Sequence, residues 1–204
     1  MLNIEPIKLL SGSHADTAQT GSGCFMNVIA YLNGEPQITD ESPCVCRAIR
    51  RPAIWINDFL NDSERHLLLQ FVQRAMGTAT DDEKVLRQRI RLLIEYIRDV
   101  AGLAHDFAPD SDASRSAASS RLLAEMAAKH SRIYWTQADY FGELATDAAS
   151  AAGDASKNAV ERKALVERTL AYLESVCPAA DAPSRALIER ANRLLELAVA
   201  QGDD

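Results

Sequence analysis

Apolar residues recur at three- and four-residue intervals along most of this chain, with little strict alternation, so the pattern is that of amphipathic helices. Phe25, Val28, Ile29 and Leu32 predict a helix that opens near Cys24 and stops at Gly34 and Glu35-Pro36. Ser42 before Pro43 reads as an N-cap for a segment running through Ile49 to Leu60, which Pro52 should kink or interrupt. Asn61 with Glu64 resembles a capping box for a helix reaching about Met76, where Gly77 ends it. Thr80 with Glu83 repeats the device for a helix from Asp81 to Leu103, striped by Val85, Leu86, Ile90, Leu93, Ile94 and Ile97. Three more helices follow at 113–152, with a break expected at Gly142 or Gly153, at 155–176 and at 184–200. EPIKLL suits one short strand, and residues 11–23 form a polar loop rich in Gly, Ser and Thr. The fold class expected is mainly α: a helical bundle with an irregular N-terminal segment and at most a short strand.

Composition adds a division. Of 33 alanines, seven lie in residues 1–100 and 26 beyond, and HDFAPDSDASRS at 105–116 is a run of turn and cap residues. The expected organisation is a helical domain at 1–104, a linker at 105–116 and an Ala-rich helical domain at 117–204. Twenty-two basic against 29 acidic residues, a net charge of -7, disfavour a broad electrostatic grip on nucleic acid or anionic lipid. The N-terminal stretch lacks a basic leader followed by a long apolar run, and no run of about 18 apolar residues occurs, so no membrane association and a cytoplasmic setting are expected.

Candidate chemistry gathers in the irregular first quarter. His14, Cys24, Cys44 and Cys46 offer one imidazole and three thiolates, the donor set of a tetrahedral zinc shell, although Cys44-Val-Cys46 has one intervening residue where zinc knuckles have two to four. A protein without a cofactor is the first expectation and zinc the second. Gly23-Cys24 at a helix start also suggests a thiol nucleophile, with His14 as base and Glu35 among the carboxylates able to orient it. Either use requires His14, Cys24 and Cys44 to lie close together. Arg47, Arg50 and Arg51 fall in one turn, and Arg87, Arg91 and Arg98 share a helix face, so both groups are candidate binding surfaces for an anionic partner. Trp55, Tyr134, Trp135, Tyr140 and Phe141 lack basic neighbours and read as core or helix-interface residues, not as a base-stacking platform. No glycine-rich phosphate loop is present.

The order of landmarks His14, Cys24-x-Met26, Gly34-Glu35-Pro36, Pro43-Cys44, Asn57-Asp58, Arg65 and Gly77-Thr78 resembles an uncharacterised family of bacteriophage and actinobacterial genomes whose second half is Ala-rich and helical. That family commonly carries an acid where this chain has Asn27 and no cysteine at position 46, which counts against the zinc shell. The resemblance implies a mobile-element accessory protein. Binding a protein partner, for example to inhibit a host defence, is therefore the expected function, with homo-oligomerisation left open. A thiol-dependent or zinc-assisted enzyme built on His14, Cys24 and Glu35 is the alternative.

Overall fold

The computed structural model describes residues 2, 4, 6–130 and 137–200. Among them the secondary structure is helical: α1 (Thr17–Thr20), α2 (Phe25–Asn33), α3 (Arg47–Phe59), a 3-10 turn (Arg65–Leu68) leading into α4 (Leu69–Ala75), α5 (Glu83–Phe107), α6 (Asp112–His130), α7 (Ala138–Ala155), α8 (Ala159–Val176) and α9 (Arg185–Ala200). The strand expected at EPIKLL reduces to one isolated parallel bridge, Leu9 to Gly23.

Two compact units share the chain. The first comprises residues 1–46, 56–79 and 177–204, the second 47–55 and 80–176. In the first, α2 is buried almost all round, with Phe25, Met26, Val28, Ile29 and Leu32 packed among α1, α4 and α9. Each such side chain contributes about 1.5–3 kcal/mol by leaving water. Gly21, at φ 70, lets the loop after α1 approach α9 so closely that a Cβ there would lie 2.3 Å from the Ala198 nitrogen. Arg190 donates to the Leu32 carbonyl, and Gln73 and Arg74 donate to carbonyls of Asp181, Pro178 and Cys177.

In the second unit α5 is the shared element, packing against α6, α7 and α8. Its stripe of Leu86, Ile90, Leu93, Ile97 and Val100 is buried. Small residues on α7, including Gly142, Ala145, Ala148 and Ala152, let that helix come close to its neighbours. A Cβ on Gly142 would sit 3.0 Å from Arg51 Cγ, so this glycine is a packing position inside α7 and not the expected break. The separation between α6 and α7 spans residues 131–136, outside the described residues together with Tyr134 and Trp135.

Residues 105–116 are not a linker: they are the last residues of α5, a turn at 108–111 and the first residues of α6. They join α5 to α6 within the second unit, with Asp110 at φ 61 and Ser111 Oγ accepting from the Ser114 N–H. The borders lie at Cys46/Arg47, Trp55/Ile56, Ala79/Thr80 and Val176/Cys177 instead. The reason is physical: α5 has an apolar stripe that only the following Ala-rich helices cover, and burial of that stripe outweighs the change in composition along the chain.

Other local expectations shift by one capping group. Ser42 and Pro43 lie in a turn, and α3 starts after Cys46, whose N–H donates to Thr78 Oγ1. Half of the Asn61–Glu64 box forms: Glu64 accepts from the Asn61 N–H at 3.2 Å, but Asn61 Oδ1 accepts from the Ser63 N–H, and the helix expected from here is a turn and a 3-10 segment before α4 opens at Leu69. Asp82, not Thr80, caps α5, its carboxylate accepting from the N–H groups of Lys84 and Val85. Pro52 does not interrupt α3, which runs through it from Arg47 to Phe59. Proline has no N–H for the carbonyl four residues back, Ala48. Tyr172 Oη donates to that carbonyl at 2.8 Å and replaces the missing bond.

Candidate functional site

The first quarter folds around two buried asparagines. Cys24 is the N-cap of α2: its Sγ accepts from the Asn27 N–H at 3.4 Å, and Asn27 Oδ1 accepts from the Cys24 N–H at 3.3 Å. The same oxygen accepts from the His14 N–H at 2.7 Å, which fastens the polar loop to the start of the helix. Asn57, 1% exposed, accepts from the Phe25 N–H and donates to the Leu10 carbonyl. Asp58 accepts from the Gly12 N–H and from Ser11, while Arg65 donates to the Asn57 carbonyl and to Asp62. Buried polar groups must be paired, and these residues pair the backbone of a loop that has almost no ladder of its own.

This architecture divides the expected catalytic and metal set. His14 and Cys24 lie at the N-terminal end of α2. Glu35 lies just past its C-terminal end, held by Asn33 Nδ2 at 3.1 Å and by Ser42 Oγ. Nine helical residues rise about 14 Å, so Glu35 cannot orient a His14–Cys24 pair. Cys44 belongs with Glu35, its Sγ 3.1 Å from Ser42 Oγ. Cys46 is buried at the start of α3. The His14 imidazole is occupied through Nε2 with the Ser11 carbonyl at 2.8 Å. Among the described residues no group of three or more His, Cys, Asp or Glu side chains is placed to hold a metal ion, so the His14, Cys24, Cys44 and Cys46 shell does not assemble. The cause is that each thiol is engaged locally, in a cap, a turn or the core.

Electrostatics agree with this division. Burial is the largest influence on Cys24 and pushes its thiol up from 9.0 to about 11, against the hydrogen bonds of Asn27 and Met26 that lower it. Cys44 is also raised, first by burial and further by the Glu35 carboxylate. Neither is held as a thiolate near neutral pH. Because the folded value of Cys24 exceeds the unfolded one, the protonated thiol stabilises the fold below pH 9, and that contribution is lost as pH rises through 11. The urea midpoint should therefore fall between pH 8 and pH 11 more steeply for the native protein than for Cys24→Ser, whose hydroxyl keeps the capping position filled. Parallel slopes in the two proteins would exclude a raised thiol.

The arginines divide as well. Arg47 pairs with Asp139 at 2.6 Å, Arg51 reaches Glu143 at 3.9 Å, and Arg87 pairs with Glu83 one turn away. Arg50 is half-buried. Arg91 is exposed and has no ion pair among the described residues. Arg98 pairs with Glu125 at 3.2 Å.

What periodicity did not single out is α6. Leu122, Leu123 and Met126 stand side by side there at 57%, 46% and 49% exposure, while Ala117, Ser120 and Ala124 form the buried side. No local signal marks the exposed patch, because an apolar pair on a helix reads equally as core until its neighbours are placed. No family model, no curated protein and no solved structure matches the chain.

Proposed function

We propose that the protein acts by binding a partner protein, in the cytoplasm, through the exposed face of α6 and the adjoining basic face of α5. The observation that carries this reading is the contiguous exposure of Leu122, Leu123 and Met126. Scattered surface leucines are ordinary, but three large apolar side chains within five residues of one helix form a patch of the kind that partners cover. Support also comes from the thiols, whose engagement in caps and turns leaves the enzyme reading without a nucleophile joined to a base. Among the described residues no helix is long and apolar enough to cross a membrane. The mobile-element setting implied by the resemblance fits a protein whose work is to bind and block a component of its host.

The test is proximity cross-linking in host cells with native protein and with Leu122→Asp/Met126→Asp. Both sites are exposed, so thermal stability should stay within a few degrees. A partner captured by the native chain and lost from the variant is the expected result. Identical partner lists for two equally folded proteins would refute the reading.

A further inference from the structure

The seam between α5 and α6 holds two surface concavities of about 330 Å³ each. One is lined by Ala101, Gly102, His105, Ser114, Ala118 and Arg121 with Asp106, the other by Ile94, Arg98, Glu125, Ala128 and Lys129. On α5 the lining positions 94, 98, 101 and 105 are spaced by three and four residues, and on α6 so are 114, 118, 121, 125 and 128. Each set is therefore one helix face, and the two concavities are segments of a single groove along the seam. Its floor is small: Ala101, Ala118 and Ala128, with Gly102, above which a Cβ would meet nothing within 4 Å. Leu122 and Met126 follow Arg121 and Glu125 by one residue each, about 100° round the helix, and so form the apolar rim.

Charge distinguishes this groove from the rest of an acidic chain. Arg121 and Lys129 are exposed, line it, and have no ion pair among the described residues. Arg91 continues the α5 face one turn beyond Ile94. Of the two acids, Glu125 is neutralised by Arg98 at 3.2 Å, and Asp106 sits at the end beside the turn. In a molecule of net charge -7 this groove carries Arg98, Arg121 and Lys129 against Glu125 and Asp106, with Arg91 beyond its end, a local positive excess complementary to the opposite sign of charge.

Resting on the binding reading above, we infer that this groove takes an acidic amphipathic helix of the partner protein. A straight trough between two helices, with a floor of small residues, admits the ridge of a third helix. The partner's apolar side chains would meet the floor and the Leu122–Met126 rim, while its carboxylates would reach Arg91, Arg121 and Lys129. A nucleic acid would also answer the cations, but it has no use for the apolar rim.

The probe is a labelled synthetic helix of about five turns, with leucine at one face and glutamate at the rest, titrated by fluorescence anisotropy. Its lysine counterpart and an oligothymidylate of similar length are run beside it. Native protein should bind the acidic helix, and Arg121→Glu/Lys129→Glu should bind it at least about tenfold more weakly, as should native protein in about 0.3 M salt. Equal binding to native and charge-reversed protein, a preference for the lysine helix or the oligonucleotide, or no binding of the acidic helix would each overturn the inference. The cross-linking experiment separates the two claims. A partner that depends on Leu122 and Met126 but not on Arg121 and Lys129 leaves the binding reading standing and removes the acidic helix; a partner that depends on neither pair removes both.

Discussion

Replacing Asn27 with alanine should lower the stability of the first unit by about 2–5 kcal/mol, one of the two largest single-residue effects expected in this protein. Asn27 is fully buried, and its Oδ1 is the acceptor for two backbone N–H groups, those of His14 and Cys24. Alanine suits the helix better than asparagine but leaves both donors buried without a partner, each at about 1–3 kcal/mol. Asn27→Asp should behave differently. A carboxylate keeps both acceptor bonds and lies in the first turn of α2, where the helix dipole favours negative charge. It also removes the Nδ2 donor, which has no hydrogen-bond partner in the native structure. The aspartate variant should therefore retain much more stability than the alanine variant at pH 7, and lose it as pH falls through the carboxyl's folded pKa, because N–H donors hold that value down. Urea unfolding of the three proteins at pH 7 and pH 4 measures this directly. If aspartate proves as damaging as alanine, the shared acceptor is not what anchors the loop.

In the second unit, Tyr172→Phe should cost about 1–3 kcal/mol, although phenylalanine preserves the ring and its stack on Tyr96, with centroids 4.8 Å apart. The loss is the hydroxyl that donates to the Ala48 carbonyl, which Pro52 leaves without its helical donor. The explanation makes a sharper demand. With Pro52→Ala an N–H returns to position 52 and can donate to Ala48, so Tyr172→Phe in that background should cost only a few tenths of a kcal/mol. A double-mutant cycle by thermal or urea unfolding gives the coupling. Additive losses would mean that the hydroxyl and the proline act independently. Tyr96 offers a control, since its hydroxyl pairs with Thr169 Oγ1 at 2.9 Å and Tyr96→Phe should be insensitive to position 52.

Much of this architecture is written in the chain itself. Amphipathic spacing locates α2, α5, α8 and α9 within a few residues, because a helix must put its apolar side chains on one face whatever it packs against. Gly34 and Gly77 end helices at positive φ as their lack of a side chain allows. Of the expected partnership of Asn61 and Glu64, the bond from the Asn61 N–H to the Glu64 carboxylate forms, because it is a local reaction of the chain with itself. Cys24, read as a nucleophile from its place at a helix start, satisfies the backbone instead, as do Asn57, Asp58, Arg65 and Thr78 in the same loop-rich segment.

Packing decided the rest. Residue types in a row of landmarks do not say which end of a helix each one reaches, and α2 holds His14 and Cys24 apart from Glu35 and Cys44 by its own length. Composition does not say which helices bury one another, so the alanine boundary at residue 105 falls inside a unit instead of between two. A proline in a helix can be tolerated only if something distant supplies a donor, and Tyr172 is 120 residues further along the chain than Pro52. The apolar rim of α6 needed the fold for the same reason. Whether leucine faces a core or a solvent-filled groove depends on what lies across from it, and that is a property of the neighbours, which a local pattern does not contain.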